Sequence, residues 1–135
     1  MYKYQLPLKC PEVLGENERS GVFFRLSINE TLSENEFTPI LLTSPHIRYK
    51  NGKMKSPKEL CKLAGVSVYL DIEDAILLSK SLPRLGNWVH SGNLDEQSRV
   101  IKKTGSNIRP SHRDWFPFIN VDITSFFQGC AYVLD

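Results

Sequence analysis

The sequence predicts an α+β fold: residues 1–135 as a single globular domain, with a mainly antiparallel sheet of about five or six strands and two short central helices. Three observations carry that expectation. Two-residue alternation of apolar and polar side chains recurs in the early and late parts of the chain, whereas helical spacing is confined to residues 57–82. The two helical stretches are grouped in the middle instead of alternating regularly with strands, which argues against a parallel βαβ sheet. With 135 residues, 41% of them hydrophobic, the chain is long enough for one core, and a domain of this size buries about two-thirds of its unfolded surface without needing metal or disulfide staples.

Taken in order, Tyr2, Tyr4 and Leu6 alternate with Lys3 and Gln5 and read as a half-buried strand; Pro7 and Pro11 then confine the chain to edge or loop positions. Residues 12–20 are acidic, contain Gly15 and read as a loop. Residues 21–28 give the clearest strand, with Val22, Phe24, Leu26 and Ile28 on one face and Arg25 and Ser27 pointing away. Residues 29–36 are a polar connection. The apolar run 37–42 is interrupted by Pro39, which marks an edge strand or the start of one. Asn51-Gly52 between residues 47–49 and 53–55 is a type I′ turn signal.

The middle turns helical. Ser56 caps, Pro57 suits the first helical position and Gly65 the stop, so Pro57–Ala64 forms a short helix with Leu60, Leu63 and Ala64 inward. Val66, Val68 and Leu70 alternate as a strand. Asp71 caps a second helix over residues 72–82, with Glu73 and Asp74 near the positive end of its dipole. Pro83 and Gly86 end it. Residues 87–94 read as a loop or broken turn, 99–102 as a strand and 104–114 as an exposed loop. Trp115, Phe116 and Phe118 form an aromatic cluster that reads either as core closing the sheet or as an exposed anchor beside Arg109 and Arg113, Asp122 caps a helical turn through Phe127, and residues 129–134 make a final strand.

No stretch approaches the ~18–20 apolar residues of a membrane span, and the first ten residues lack the apolar run of a secretory leader. Cys10, Cys61 and Cys130 are odd in number, lie far apart and form no CxxC. They read as free thiols of a reducing compartment, with Cys61 and Cys130 as small buried hydrophobes, and point to a cytoplasmic protein.

Residues 58–67, Lys-Glu-Leu-Cys-Lys-Leu-Ala-Gly-Val-Ser, resemble the first helix and turn of helix-turn-helix DNA readers. The resemblance implies that residues 68–74 form the recognition helix. Those residues instead include Asp71, Glu73 and Asp74, no Lys or Arg, and the alternation of a strand, so their charge has the wrong sign for phosphate. No family is identified from it.

Charge is segregated although the net is only +2. Residues 48–62 carry Arg48, Lys50, Lys53, Lys55, Lys58 and Lys62 against Glu59; residues 99–113 carry Arg99, Lys102, Lys103, Arg109 and Arg113 with no acid. Residues 10–38 are the acidic counterpart, with six glutamates against Arg19 and Arg25. If both basic stretches converge on one face, they attract phosphate or an acidic protein.

These features give two functional expectations. The leading one is a small non-enzymatic macromolecule-binding protein: an inhibitor, an antitoxin-like regulator or a subunit of a complex. It would use a basic and aromatic surface around residues 109–118, formed by Arg109, His112, Arg113 and an exposed Trp115, with Lys102, Lys103, Arg48 and Lys50 alongside. Another protein is the expected partner, nucleic acid the next, and no membrane. The alternative is an RNA-binding protein or a metal-independent ribonuclease, with His90 and His112 as acid and base and Arg113 holding phosphate. His46 is a third imidazole near turn residues. No nucleotide-binding glycine loop, nucleophile elbow, HExxH or paired-cysteine motif occurs, so no cofactor and no metal are expected. A concave pocket near the histidines favours chemistry, and a broad flat patch favours a macromolecule.

Overall fold

The structure, a computed structural model, describes residues 2–95, 99–127 and 131–134. Among these, six strands form one antiparallel sheet. They are β1 (Gly21–Ser27), β4 (Val66–Tyr69), β5 (Trp88–Leu94), β6 (Arg99–Lys103), β7 (His112–Pro117) and β8 (Ala131–Val133), in the order β6-β7-β4-β1-β5-β8. A separate hairpin joins β2 (Tyr49–Lys50) to β3 (Lys53–Met54) through Asn51 and Gly52, both at positive φ as a type I′ turn requires. The helices are α1 (Ile40–Thr43), α2 (Pro57–Ala64) and α3 (Ile72–Ser81). The α+β class and its antiparallel sheet are therefore as the sequence predicts. No helix among the described residues is long and apolar enough to cross a membrane.

The two main helices start where capping chemistry places them. Ser56 Oγ accepts the Glu59 N–H at 3.2 Å and Asp71 Oδ1 accepts the Glu73 N–H at 3.0 Å, each satisfying an otherwise orphaned donor of the first turn. Val66–Tyr69 is a sheet strand, so the turn after α2 leads into β4 and not into a DNA-recognition helix.

Side chains alternate across the sheet and sort its core into two layers. On one face Phe23, Val66, Val68, Leu94, Ile101 and Trp115 pack with Phe37, Ile123 and Phe127, which come from 3-10 turns at Glu34–Phe37 and Ile123–Phe127. Phe37 meets Trp115 edge-on at a centroid distance of 6.1 Å, and Phe127 lies 5.9 Å from the same indole. On the other face α2 and the N-terminal stretch gather Cys10, Leu14, Leu41, Cys61, Ala64 and Phe116, while α3 gathers Tyr69, Ala75 and Val89.

Several local expectations are corrected. Tyr2 forms a single bridge to Phe118, so residues 2–6 are not a strand. Residues 37–42 turn helical instead of extended. The Glu36 carboxylate accepts the Ser33 N–H at 2.8 Å and supports the 3-10 turn; Pro39 follows and α1 starts directly after it. Strand β1 buries Phe23 and Ser27, which lie on the face opposite the expected one, whereas Val22 and Ile28 are more than half exposed. Residues 88–94 are a strand paired with β1 over seven positions, not a loop. Its run of His90, Ser91, Gly92 and Asn93 hides the burial of Val89 and Leu94. The loop expected over 104–114 ends at Ser111, because β7 begins at His112.

Cys10 and Cys61 are joined by a disulfide across 51 residues of chain, so they are not free thiols. Cys61 is buried as expected; Cys130 lies outside the described residues. The bond pins the N-terminal stretch to α2.

Candidate functional site

The helical layer does not close over the middle of the sheet. α2 is drawn toward β6 and β7, where Cys61 and Ala64 pack with Phe116. α3 settles over β1, β4 and β5, where Ala75, Ile72 and Leu78 pack with Tyr69 and Val89. Between them lies a cavity of about 500 Å3, with Ser67, Tyr69, His112 and Asp114 from β4 and β7, Lys62 and Leu63 from α2, and Pro39 and Ile40 ahead of and in α1.

Register sets the polar groups side by side. Ser67 is paired with Asp114 and Tyr69 with His112, so all four side chains leave the same face of two adjacent strands. The Ser67 hydroxyl lies 3.1 Å from His112 Nε2, and the Thr104 hydroxyl lies 3.0 Å from His112 Nδ1. The Tyr69 and His112 rings meet edge-on at 5.3 Å. The start of β7 is fixed from α3: Asp74, itself buried, accepts both the Ser111 N–H at 2.9 Å and the Ser111 hydroxyl at 2.6 Å. The Leu70 N–H donates to Ser111 O at 3.0 Å. His112 is thus held at both ring nitrogens and through its neighbour.

Asp114 is the anomaly. Its side chain is 1% exposed, and neither carboxylate oxygen meets a well-aligned hydrogen-bond donor. Burial pushes its pKa up to about 7, with the nearby Thr104 hydroxyl and the Lys62 charge pulling only partly the other way. Gly65 makes room for it: a Cβ there would stand 2.8 Å from Asp114 Cβ and 3.0 Å from Phe116 Cζ. Burial also lowers the pKa of His112, helped by the charges of Arg113, Lys62 and Arg109 and opposed by a bond to Thr104. The imidazole is therefore neutral at neutral pH, the form able to accept a proton.

Arg25 of β1 also lines the cavity, although its position is one residue out of step with the Phe24–Tyr69 pair. Strands β1 and β4 share one residue pair, Phe24 with Tyr69. Beside that pair the Arg25 guanidinium donates to Ser67 O at 2.6 Å and to Glu36 O, with its carbon 5.2 Å from the Phe37 ring centroid. Arg25 Nε is buried without a partner. Burial brings the guanidinium down to about 10 despite Glu36, so it keeps its charge at neutral pH.

Of the residues singled out from sequence, His112 sits in this cavity, and Arg109 is close enough to act on the His112 and Tyr69 charges. The others go elsewhere. Trp115 is fully buried in the opposite layer and is no exposed anchor; it lies on a strand buried on both faces. His90 is also buried, its Nε2 2.8 Å from Asn29 O. It pairs with Arg25, one residue out of step from the Ser91–Phe24–Tyr69–His112 row, and so faces away from His112. Three strand spacings separate the two histidines, about 14 Å, so they form no acid–base pair. Arg113 Nε donates to Glu18 at 2.7 Å, Lys102 donates to Gly15 O at 2.6 Å, and Lys103 is 3.6 Å from Glu16. Arg48 and Lys50 are exposed, with Arg48 beside a second depression of about 330 Å3. Two cations of the second basic stretch, Lys103 and Arg113, are thus paired with the acidic stretch, which runs along β6 through Glu18 N–H to Ile101 O at 2.7 Å, while Lys62 of the first stretch comes near Arg109 and Arg113 around His112.

The groups that sequence reasoning missed are Ser67, Asp114, Thr104 and Arg25, together with the position of Lys62. The available signal was the two-residue spacing of His112 and Asp114 before Trp115 and Phe116, which is strand-like once the loop reading is dropped. Comparison with protein-family models, with curated proteins and with solved structures gave no match to this chain.

Proposed function

We propose that this protein binds a small polar molecule in the cavity between α2 and α3. The ligand brings an ammonium or amide donor to Asp114 and a carbonyl or carboxylate oxygen to Arg25 and Lys62, the chemistry of an amino acid or a simple derivative of one. The observation that carries the reading is the buried, unpartnered Asp114 carboxyl in the wall of the cavity. A buried polar group without a partner costs about 1–3 kcal/mol or more, and a ligand donor removes that cost only when bound. The cavity volume lies within the range of small-molecule sites, ~300–1,000 Å3.

This reading replaces the macromolecule-docking surface around residues 109–118, whose tryptophan is core and whose Arg113 is paired. It keeps one histidine of the ribonuclease alternative and not the pair. The Cys10–Cys61 bond supports an oxidising working environment in place of the cytoplasm.

A thermal-shift titration tests it, with millimolar glycine, L-serine and L-glutamate as probes and acetate, methylammonium and inorganic phosphate as half-ligands. The expected result is a rise in melting temperature with an amino acid that exceeds that of any half-ligand and disappears in Asp114→Asn. Equal responses in the variant and the parent protein, or none with any amino acid, would overturn it.

A further inference from the structure

We propose that Ser67 is a nucleophile activated by His112, and that the cavity hydrolyses small esters whose acyl part carries an amino group. The inference rests on the binding reading above and adds a reaction to it. Its basis is a line of four side chains. The Ser67 hydroxyl is 3.1 Å from His112 Nε2, His112 Nδ1 is 3.0 Å from the Thr104 hydroxyl, and Thr104 adjoins Asp114. A nucleophile within hydrogen-bond reach of a base that a third group orients is the recurring arrangement of covalent catalysis.

The direction of the chain follows from what each group can donate. The Thr104 hydroxyl both donates and accepts, so its oxygen can face the His112 Nδ1–H. The Thr104 oxygen then accepts the His112 Nδ1–H. That tautomer leaves Nε2 with a lone pair, and Ser67 is the donor facing it. Ser67 is exposed toward the cavity, so a substrate reaches the hydroxyl without local unfolding. Arg25, packed over Phe37, donates an N–H to the Ser67 carbonyl and so fixes the backbone that carries the hydroxyl.

The reaction balances within these groups and water. As Ser67 Oγ bonds to the ester carbonyl carbon, its proton passes to His112 Nε2, and the carbonyl electron pair moves onto the former carbonyl oxygen as an oxyanion. Collapse breaks the carbon–oxygen bond to the alcohol, which leaves with the proton from His112. Water then gives a proton to His112 as its oxygen bonds to the acyl carbon, and Ser67 leaves and recovers that proton. Ester and water become acid and alcohol. The substrate ammonium rests on Asp114 throughout, which selects amino-acyl over plain acyl esters.

The experiment is labelling with a fluorophosphonate, located by peptide mass spectrometry, alongside turnover of L-alanine p-nitrophenyl ester and p-nitrophenyl acetate. The adduct is expected on Ser67 and is expected to form at least 100-fold more slowly in His112→Ala, the lower end of what a positioned base supplies (~10²–10⁴-fold). Ser67→Ala should abolish both labelling and turnover with an unchanged melting temperature, and the alanine ester should be preferred over the acetate. Absence of an adduct on Ser67, or labelling at an equal rate in folded His112→Ala, would overturn the proposal. Stabilisation by amino acids in that case would leave the binding reading standing alone; loss of stabilisation would remove both.

Discussion

The two faces of the sheet solve different problems with the same strands. On the face that holds Trp115, residues Phe23, Val66, Val68, Leu94 and Ile101 close against Phe37, Ile123 and Phe127. On the opposite face the same strands β4 and β7 present Ser67, Tyr69, His112 and Asp114 beneath two helices that stand apart. The indole Nε1 of Trp115 on the packed face is enclosed by rings, whereas the unsatisfied Asp114 carboxyl on the other face stands at the wall of a cavity. The contrast is physical: the first face is closed by packing, and the second leaves a buried carboxyl without a partner beside an imidazole held at both ring nitrogens.

The largest expected effect breaks the packed side. Trp115→Ala should lower the unfolding free energy by about 3–5 kcal/mol in urea melts, the range for removing a large buried aromatic. Ser67→Ala, one strand away on the other face, should stay within about 0.5 kcal/mol. Similar costs for the two would erase the distinction between the faces.

Next is the covalent tie on the cavity side. Cys10→Ser removes the cross-link between the N-terminal stretch and α2, which closes a loop of 51 residues. A loop of that length corresponds to about 3–4 kcal/mol of stability. Hydrogen exchange should quicken first in α2, where Cys61 sits, while amides of β1 and β5 stay protected. Uniform loss of protection would mean that the two layers are not separately held.

Much of the fold was legible because local chemistry agreed with tertiary structure. Ser56, Pro57 and Gly65 bracket α2, Asp71 starts α3, Asn51-Gly52 turns the hairpin, and Val66–Val68 marks β4. Strand β5 was hidden because its alternation is carried by polar residues that the sheet buries, His90 above all. Residues 37–42 look extended by composition, and their helical turns depend on Glu36, whose carboxylate also receives Ser27 Oγ from β1. The site was less legible still. Its members come from positions 25, 67, 104, 112 and 114, and only strand order brings them together. The charge segregation was real in sequence but answers an internal need: Glu16 and Glu18 meet Lys103 and Arg113 across β6 and β7.

The most direct measurement is the pH dependence of stability in the parent protein and in Asp114→Asn. Asp114 titrates near 3.8 when unfolded and at about 7 when folded, so the fold keeps a proton that the unfolded chain loses. Its stabilising effect is therefore complete below pH 4 and is lost as the pH rises to 7, by up to about 4 kcal/mol. Asparagine carries no such linkage, so the variant should overtake the parent steadily across that window and hold its lead above pH 7. A constant difference between the two from pH 4 to pH 8 would show that Asp114 ionises as an ordinary solvated carboxyl, and the cavity would lose its anchor.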